Sequence, residues 1–123
     1  MQEGVIQFTV EHTGGPLRPA ECEGVRSLLG WREILRNTGL LGSDPARYDG
    51  LGFGNISTRV SARNLPRGAR AFVVSGTQTA GKPSVSAEDF ACVTSWSVVG
   101  NAVHSRGPVL PSSESLTHAT VYD

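Results

Sequence analysis

The sequence predicts a layered α/β or α+β domain, and three observations support this prediction. Apolar and polar residues alternate over residues 6–11, a period of two that is typical of a strand with one buried face. Over residues 19–38 the apolar positions fall instead at helical spacing, and several strand-like segments and a second helical segment follow. An order of strand, helix, several strands and helix indicates a sheet with helices packed on it.

Length and composition narrow the class of protein. A chain of 123 residues is expected to form a single domain over 1–123. Its 11 Lys+Arg and 11 Asp+Glu balance, which argues against a nucleic-acid partner because such proteins need a basic face. No apolar run is long enough to cross a bilayer, so we expect no membrane partner. Cys22 and Cys92 form no CxxC motif, and a cytoplasmic location is expected.

Local signals place the individual elements. Pro19 suits the first turn of a helix, and Gly39 suits the left-handed residue that follows its end. The apolar residues at helical spacing between them are Val25, Leu28, Leu29, Ile34 and Leu35. Strands are predicted over residues 56–60, 71–74, 91–96 and 101–105. Ser86 followed by Asp89 resembles a capping box, and residues 112–122 are predicted to form the last helix.

Three turns carry the residues that could bind a ligand. They lie at residues 52–57, 75–79 and 111–114, and each combines small residues with hydroxyl or amide side chains. Exposed backbone N–H groups beside such side chains are the chemistry of an anion-binding cradle. Gly, Asn and Ser also dominate ordinary turns, which explains each turn taken singly. Three such turns at the ends of strands or helices favour a shared phosphate or oxyanion site.

The ionisable residues leave two interpretations open. Glu114 lies in the first turn of the last helix, where it is either a carboxylate favoured by the helix dipole or a general acid/base beside a bound anion. His118, four residues later, either orients that carboxylate or packs. His12, His104 and His118 form no HxH or HxxxH pair, so no sequence-local metal site is predicted. Cys92 is expected to be a buried, inert thiol.

The three turns also resemble a known family. GFGNIS at 52–57, VVSGTQTAG at 73–81 and GPVLPSSESLTHATVY at 107–122 occur in this order, and together they resemble the class II aldolase/adducin head-domain family. The resemblance covers residues 19–123, and residues 1–18 are expected to be an additional strand and turn. It implies a layered α/β/α domain with a central, mainly antiparallel sheet.

The resemblance also assigns roles to residues. It implies that Glu114 is the acid/base, and that backbone N–H groups and hydroxyls of the turns bind a substrate phosphate. The residues assigned to the phosphate are Gly54, Asn55, Ser75, Gly76, Thr77, Ser112 and Ser113. In the enzymes of this family zinc stabilises an enediolate while a carbon–carbon bond is cleaved or formed.

The zinc ligands of that family are histidines that follow the last helix, whereas this sequence ends at Asp123. We therefore expect no metal or cofactor in this chain, zinc being the cofactor of complete family members. The expected function is an aldolase-like half-site for a small anionic sugar, inactive by itself. Expected partners are further copies of the chain or a complementing C-terminal chain. The alternative is a non-catalytic, adducin-like binding or assembly module.

Overall fold

A computed structural model describes residues 8–46 and 48–123 of the chain. The regular elements are β1 (Thr9–Thr13), α1 (Pro19–Asn37), β2 (Ser57–Arg59), β3 (Phe72–Ser75), β4 (Phe90–Ser97), β5 (Ala102–Arg106) and α2 (Ser115–Tyr122). The predicted order of elements is confirmed for these residues, whereas the part of the alternating pattern at residues 6 and 7 lies outside them. No helix in the described ranges is both long enough and apolar enough to span a membrane.

The five strands form one mixed sheet in the order β1-β5-β4-β3-β2. The pairs β2/β3, β3/β4 and β4/β5 are antiparallel, and β1 lies parallel to β5. The predicted α/β class is therefore confirmed. In the antiparallel part, strands that follow each other in the chain lie side by side. The C-terminal end of β3 therefore lies between the N-terminal ends of β2 and β4.

The buried side chains of the sheet alternate between its two faces, as a period of two requires. On one face α1 packs over a cluster of Leu17, Val25, Leu28, Val60, Ala71, Val73, Phe90 and Cys92. On the other face α2 packs over a cluster of Phe72, Val74, Val93, Val103 and Ala119. The layers are therefore helix, sheet and helix.

The buried face of α1 leaves out two of the apolar residues that fall at helical spacing. Leu29 and Ile34 are 36% and 51% exposed. The residues that are buried are Glu21, Val25, Leu28 and Arg32. Their spacing of four, three and four places them on a single face of the helix. Two charged side chains thus occupy the ends of the buried stripe.

Both buried charged side chains have hydrogen-bond partners. Glu21 accepts hydrogen bonds from the Arg106 guanidinium, one of them 2.9 Å long, and from the Arg18 N–H at 2.8 Å. Burial opposes ionisation of Glu21, but these hydrogen bonds outweigh it and hold the pKa of the carboxyl below its usual range. Arg32 donates to the carbonyl oxygens of Thr79 and Lys82 at 3.1 and 2.8 Å. The helix is thereby tied to β5 and to the loop after β3.

Two predicted end signals are confirmed. Gly39 follows α1 with φ of 77°, and the Leu40 N–H donates to the carbonyl oxygen of Leu35 at 2.9 Å, as in a Schellman motif. Ser86 and Asp89 form the expected capping box, in which the Asp89 carboxylate accepts the Ser86 N–H at 3.0 Å. These contacts set where α1 ends and where β4 begins.

Arg106→Ala should lower the free energy of unfolding by about 3 kcal/mol, because it leaves the buried Glu21 carboxylate without its partner. Arg63→Ala is the matched control, since it breaks an exposed pair with Glu23 on the same helix and should change stability by less than about 1 kcal/mol. Urea denaturation at neutral pH measures both. The Arg106 effect should shrink as the pH falls through the lowered pKa of Glu21, where the carboxyl is protonated. Equal effects of the two substitutions would contradict the prediction.

Candidate anion-binding site

The turns at 52–57 and 111–114 meet on either side of Ser75, the last residue of β3. The Ser75 N–H donates to the carbonyl oxygen of Ile56 at 2.9 Å, and the Ile56 N–H donates to Ser75 Oγ at 3.1 Å. The Ser112 N–H donates to the carbonyl oxygen of Ser75 at 3.0 Å. The three turns that the sequence singled out are therefore adjacent in the fold.

Several of the predicted donors are used inside the protein. The Gly76 N–H donates to the carbonyl oxygen of Asp89 at 2.7 Å, and the Thr77 N–H donates to that of Leu110 at 2.9 Å. With the Ser112 N–H also engaged, these three backbone groups join the turns to each other and to β4. Each N–H has one proton to donate, so in this structure these three N–H groups are not directed at a ligand. The assignment of Gly76, Thr77 and Ser112 to a phosphate stays a prediction.

Other predicted donors remain available for a ligand. The N–H groups of Gly54, Asn55 and Ser113 make no hydrogen bond to another described residue, and the same holds for the hydroxyls of Thr77 and Ser113. All four residues are exposed or half-buried. We call the region where the turns at 52–57, 75–79 and 111–114 bond to one another the junction. The remaining predicted residues, Ser75, Gly76 and Ser112, are buried within it.

Packing alone requires glycine at two of the predicted positions. Gly54 has φ of 86°, and a Cβ there would lie 2.7 Å from the carbonyl oxygen of Leu40. A Cβ on Gly76 would lie 2.6 Å from a methyl group of Val109. Both distances are shorter than real Cβ contacts, so these two glycines are explained whether or not a ligand binds.

Glu114 lies at the edge of the junction as the exposed N-cap residue of α2. Its N–H donates to Ser112 Oγ at 3.1 Å, and its carboxylate accepts from Thr117 Oγ1 at 3.4 Å. Together with Ser113 it lines a cleft of about 360 Å³ whose walls include neither Asn55 nor Ser75. The structure thus brings Glu114 close to the turn at 111–114, and its assignment as acid/base stays a prediction.

His118 bonds to the turn at 52–57 and not to the Glu114 carboxylate. Its Nε2 is paired with Asn55 Oδ1, and its Nδ1 lies 2.6 Å from Ser57 Oγ. Ser57 Oγ in turn lies 2.7 Å from the Tyr122 hydroxyl. Burial lowers the pKa of His118, and the nearby Glu114 only partly opposes this effect. Ser57 and Tyr122 were not among the predicted site residues, although His118 and Tyr122 are four residues apart and share a helix face.

The other candidate ionisable groups lie away from the junction. His12 Nδ1 lies 2.8 Å from Ser105 Oγ, and His104 pairs with Glu11 at 3.2 Å. Cys92 is buried in β4, and burial raises the pKa of its thiol to about 12, which makes it a poor nucleophile. Within residues 8–46 and 48–123 no group of three or more His, Cys, Asp or Glu could hold a metal ion. The described residues therefore do not fit the implied zinc.

Comparisons with known proteins found no family model, no curated protein and no solved structure that matches this chain. The resemblance to class II aldolases therefore rests on the three sequence motifs alone. The structure adds that these motifs are adjacent and that part of their donor set is accessible to a ligand.

Gly76→Ala should lower the free energy of unfolding by about 2 kcal/mol, because the added Cβ must displace Val109 or the backbone at Asp89. Gly30→Ala is the matched control, since no atom lies within 4 Å of a Cβ built there. In the middle of α1 that substitution should raise stability by about 0.5 to 1 kcal/mol. Thermal and urea denaturation measure both. A neutral Gly76→Ala would show that the end of β3 is less tightly packed than described.

Proposed function

We propose that the chain is a class II aldolase-like domain that binds the phosphate or carboxylate group of a small sugar where the three turns meet. The observation that carries the proposal is the set of backbone N–H groups at Gly54, Asn55 and Ser113. They belong to two turns joined through Ser75, and no described residue accepts a hydrogen bond from them. Neutral donors on rigid turns suit oxygen atoms that only accept hydrogen bonds.

The expected affinity is modest. No described arginine or lysine bonds to Gly54, Asn55 or Ser113, and Arg32 reaches the turn at 75–79 only at its far end, through the carbonyl oxygen of Thr79. The ligand charge would therefore be balanced by N–H dipoles, hydroxyls and the first turn of α2. Glu114 is close enough to the turn at 111–114 to repel an anion, which weakens binding further. We expect inorganic phosphate or sulfate to bind with a dissociation constant of about 1 mM, equivalent to about 4 kcal/mol.

Glu114 is the residue proposed to exchange a proton with the bound sugar, as the resemblance implies. Its carboxylate is exposed and lies beside Ser113 in the cleft at the start of α2. Ser113 both lines this cleft and supplies one of the proposed donors, so the proposal places the phosphate at Ser113 and a hydroxyl or carbonyl group of the sugar in the cleft. The proposal for these residues is confined to binding and to this proton transfer.

Titration of the isotopically labelled protein with sodium sulfate tests the proposal by NMR. The amide signals of Gly54, Asn55 and Ser113 should shift together and saturate. Ser113→Ala should weaken binding about tenfold, because it removes one hydrogen bond to a charged ligand. Ser27→Ala is the control, since Ser27 is exposed on α1 and should leave the affinity unchanged. Shifts confined to other parts of the chain would contradict the proposed site.

A second candidate function, an assembly module, is favoured by the outer surface of α1. Trp31 and Ile34 are 58% and 51% exposed there, one helical turn apart. Large apolar side chains on a surface are typical of protein–protein contacts when they form a patch. The proposed partner is a further copy of this chain.

Sedimentation velocity at increasing protein concentration tests the assembly proposal. The wild-type protein should self-associate, and the double substitution Trp31→Ser with Ile34→Ser should shift it toward monomer. Val121→Ser is the control, because Val121 is 76% exposed on α2, on the opposite side of the sheet. A wild-type protein that stays monomeric at every concentration would contradict this candidate function.

A further inference from the structure

A chain of hydrogen bonds runs from the C-terminal end of α2 to the turn at 52–57. It starts at the Tyr122 hydroxyl, passes through Ser57 Oγ at 2.7 Å and His118 Nδ1 at 2.6 Å, and ends with His118 Nε2 paired to Asn55 Oδ1. All four residues are half-buried. The network therefore links α2 to a residue of the proposed anion site.

Asn55 Oδ1, the acceptor at the end of this hydrogen-bond network, fixes the direction of every hydrogen bond in the network. Asn55 Oδ1 can only accept, so the single proton of a neutral imidazole lies on His118 Nε2. His118 Nδ1 then accepts the Ser57 O–H, and Ser57 Oγ accepts the Tyr122 O–H. The burial that lowers the pKa of His118 favours this neutral form. Each donor in this hydrogen-bond network therefore has one acceptor.

The same arrangement keeps the Asn55 carboxamide in the orientation that it has in the structure, with Oδ1 against His118 Nε2. A carboxamide has an acceptor oxygen and a donor nitrogen at opposite ends. Rotating it by half a turn would place Nδ2 against the His118 Nε2–H, so that two donors faced each other. While His118 keeps this tautomer, the nitrogen end points away from α2. No described residue accepts a hydrogen bond from Asn55 Nδ2.

We infer that His118 is a positioning residue that holds the Asn55 carboxamide with its two N–H donors facing the anion site. The inference rests on the proposed function and specifies the ligand group further. A group whose oxygens only accept hydrogen bonds, such as sulfate, phosphate or carboxylate, meets the carboxamide nitrogen favourably. An ammonium group at the same position would meet the carboxamide N–H groups, which offer it no acceptor.

A double-mutant cycle with sulfate as the probe tests whether His118 acts through Asn55. Asn55→Ala should weaken sulfate binding about tenfold, because it removes a donor to a charged ligand. His118→Ala should weaken binding by a similar factor. The double variant should bind no more weakly than Asn55→Ala alone, since His118 has nothing left to position. If the affinity losses of the two single variants instead multiply in the double variant, the inference is overturned.

Two further variants separate positioning from a general structural effect. His118→Gln keeps a side-chain N–H that can donate to Asn55 Oδ1, so it should restore most of the affinity lost in His118→Ala. His104→Gln is the matched control on the exposed surface of β5, where His104 pairs with Glu11. It should leave sulfate binding unchanged.

The outcomes distinguish failure of this inference from failure of the proposed function. If the wild-type protein binds sulfate and His118→Ala binds it equally well, the anion site stands and the positioning role is overturned. If the wild-type protein does not bind sulfate, the proposed function fails and takes this inference with it. The nitrogen NMR spectrum of His118 gives a readout that needs no variant. Protonated Nε2 and unprotonated Nδ1 support the inference, and the opposite tautomer overturns it.

Discussion

The geometry of the candidate site depends on the hydrogen bonds of Ser75. Its N–H and its hydroxyl oxygen both bond to Ile56, and its carbonyl oxygen accepts from Ser112. Its register partner in β4 is Phe90, so the end of β3 is held from three directions. Ser75 is only 5% exposed, and hydrogen bonds are stronger in such surroundings than in water. The turns on either side of it therefore cannot move independently.

This constraint also divides the turn residues into two kinds. A backbone N–H that bonds inside the protein is no longer a donor for a ligand, as at Gly76, which bonds to Asp89, and at Ser112, which bonds to Ser75. Asn55 and Ser113 each stand next in sequence to a residue bonded to Ser75, and their N–H groups donate to no described residue. The hydrogen bonds of Ser75 therefore account both for the buried centre of the site and for the unbonded N–H groups of Asn55 and Ser113 at its rim. An anion at this rim would contact two turns whose spacing is already fixed.

Periodicity and end signals in the sequence were enough to predict the elements, and α1 was predicted over residues 19–38 against Pro19–Asn37 in the structure. Its buried face was not predictable in this way. The partners that permit burial of Glu21 and Arg32 lie 85 and 47 residues away in the chain, so no local pattern reveals them. The adjacency of the turns was predictable from their positions at strand and helix ends. Which N–H groups remain available was not, because that depends on the pairing of β3 with its neighbours.

The attachment of α2 to the sheet couples stability to ligand binding. Only Ser115 and Ala119 of this helix are fully buried, and its main aromatic contact is Tyr122, whose ring centroid lies 5.0 Å from that of Phe72. Leu116 also packs against the apolar cluster that contains Phe72, and three side-chain hydrogen bonds join α2 to Asn55 and Ser57. The same helix brings Ser113 to the site at its N-terminal end. A ligand that binds both turns must therefore favour the docked helix, and docking must favour the ligand by the same free energy.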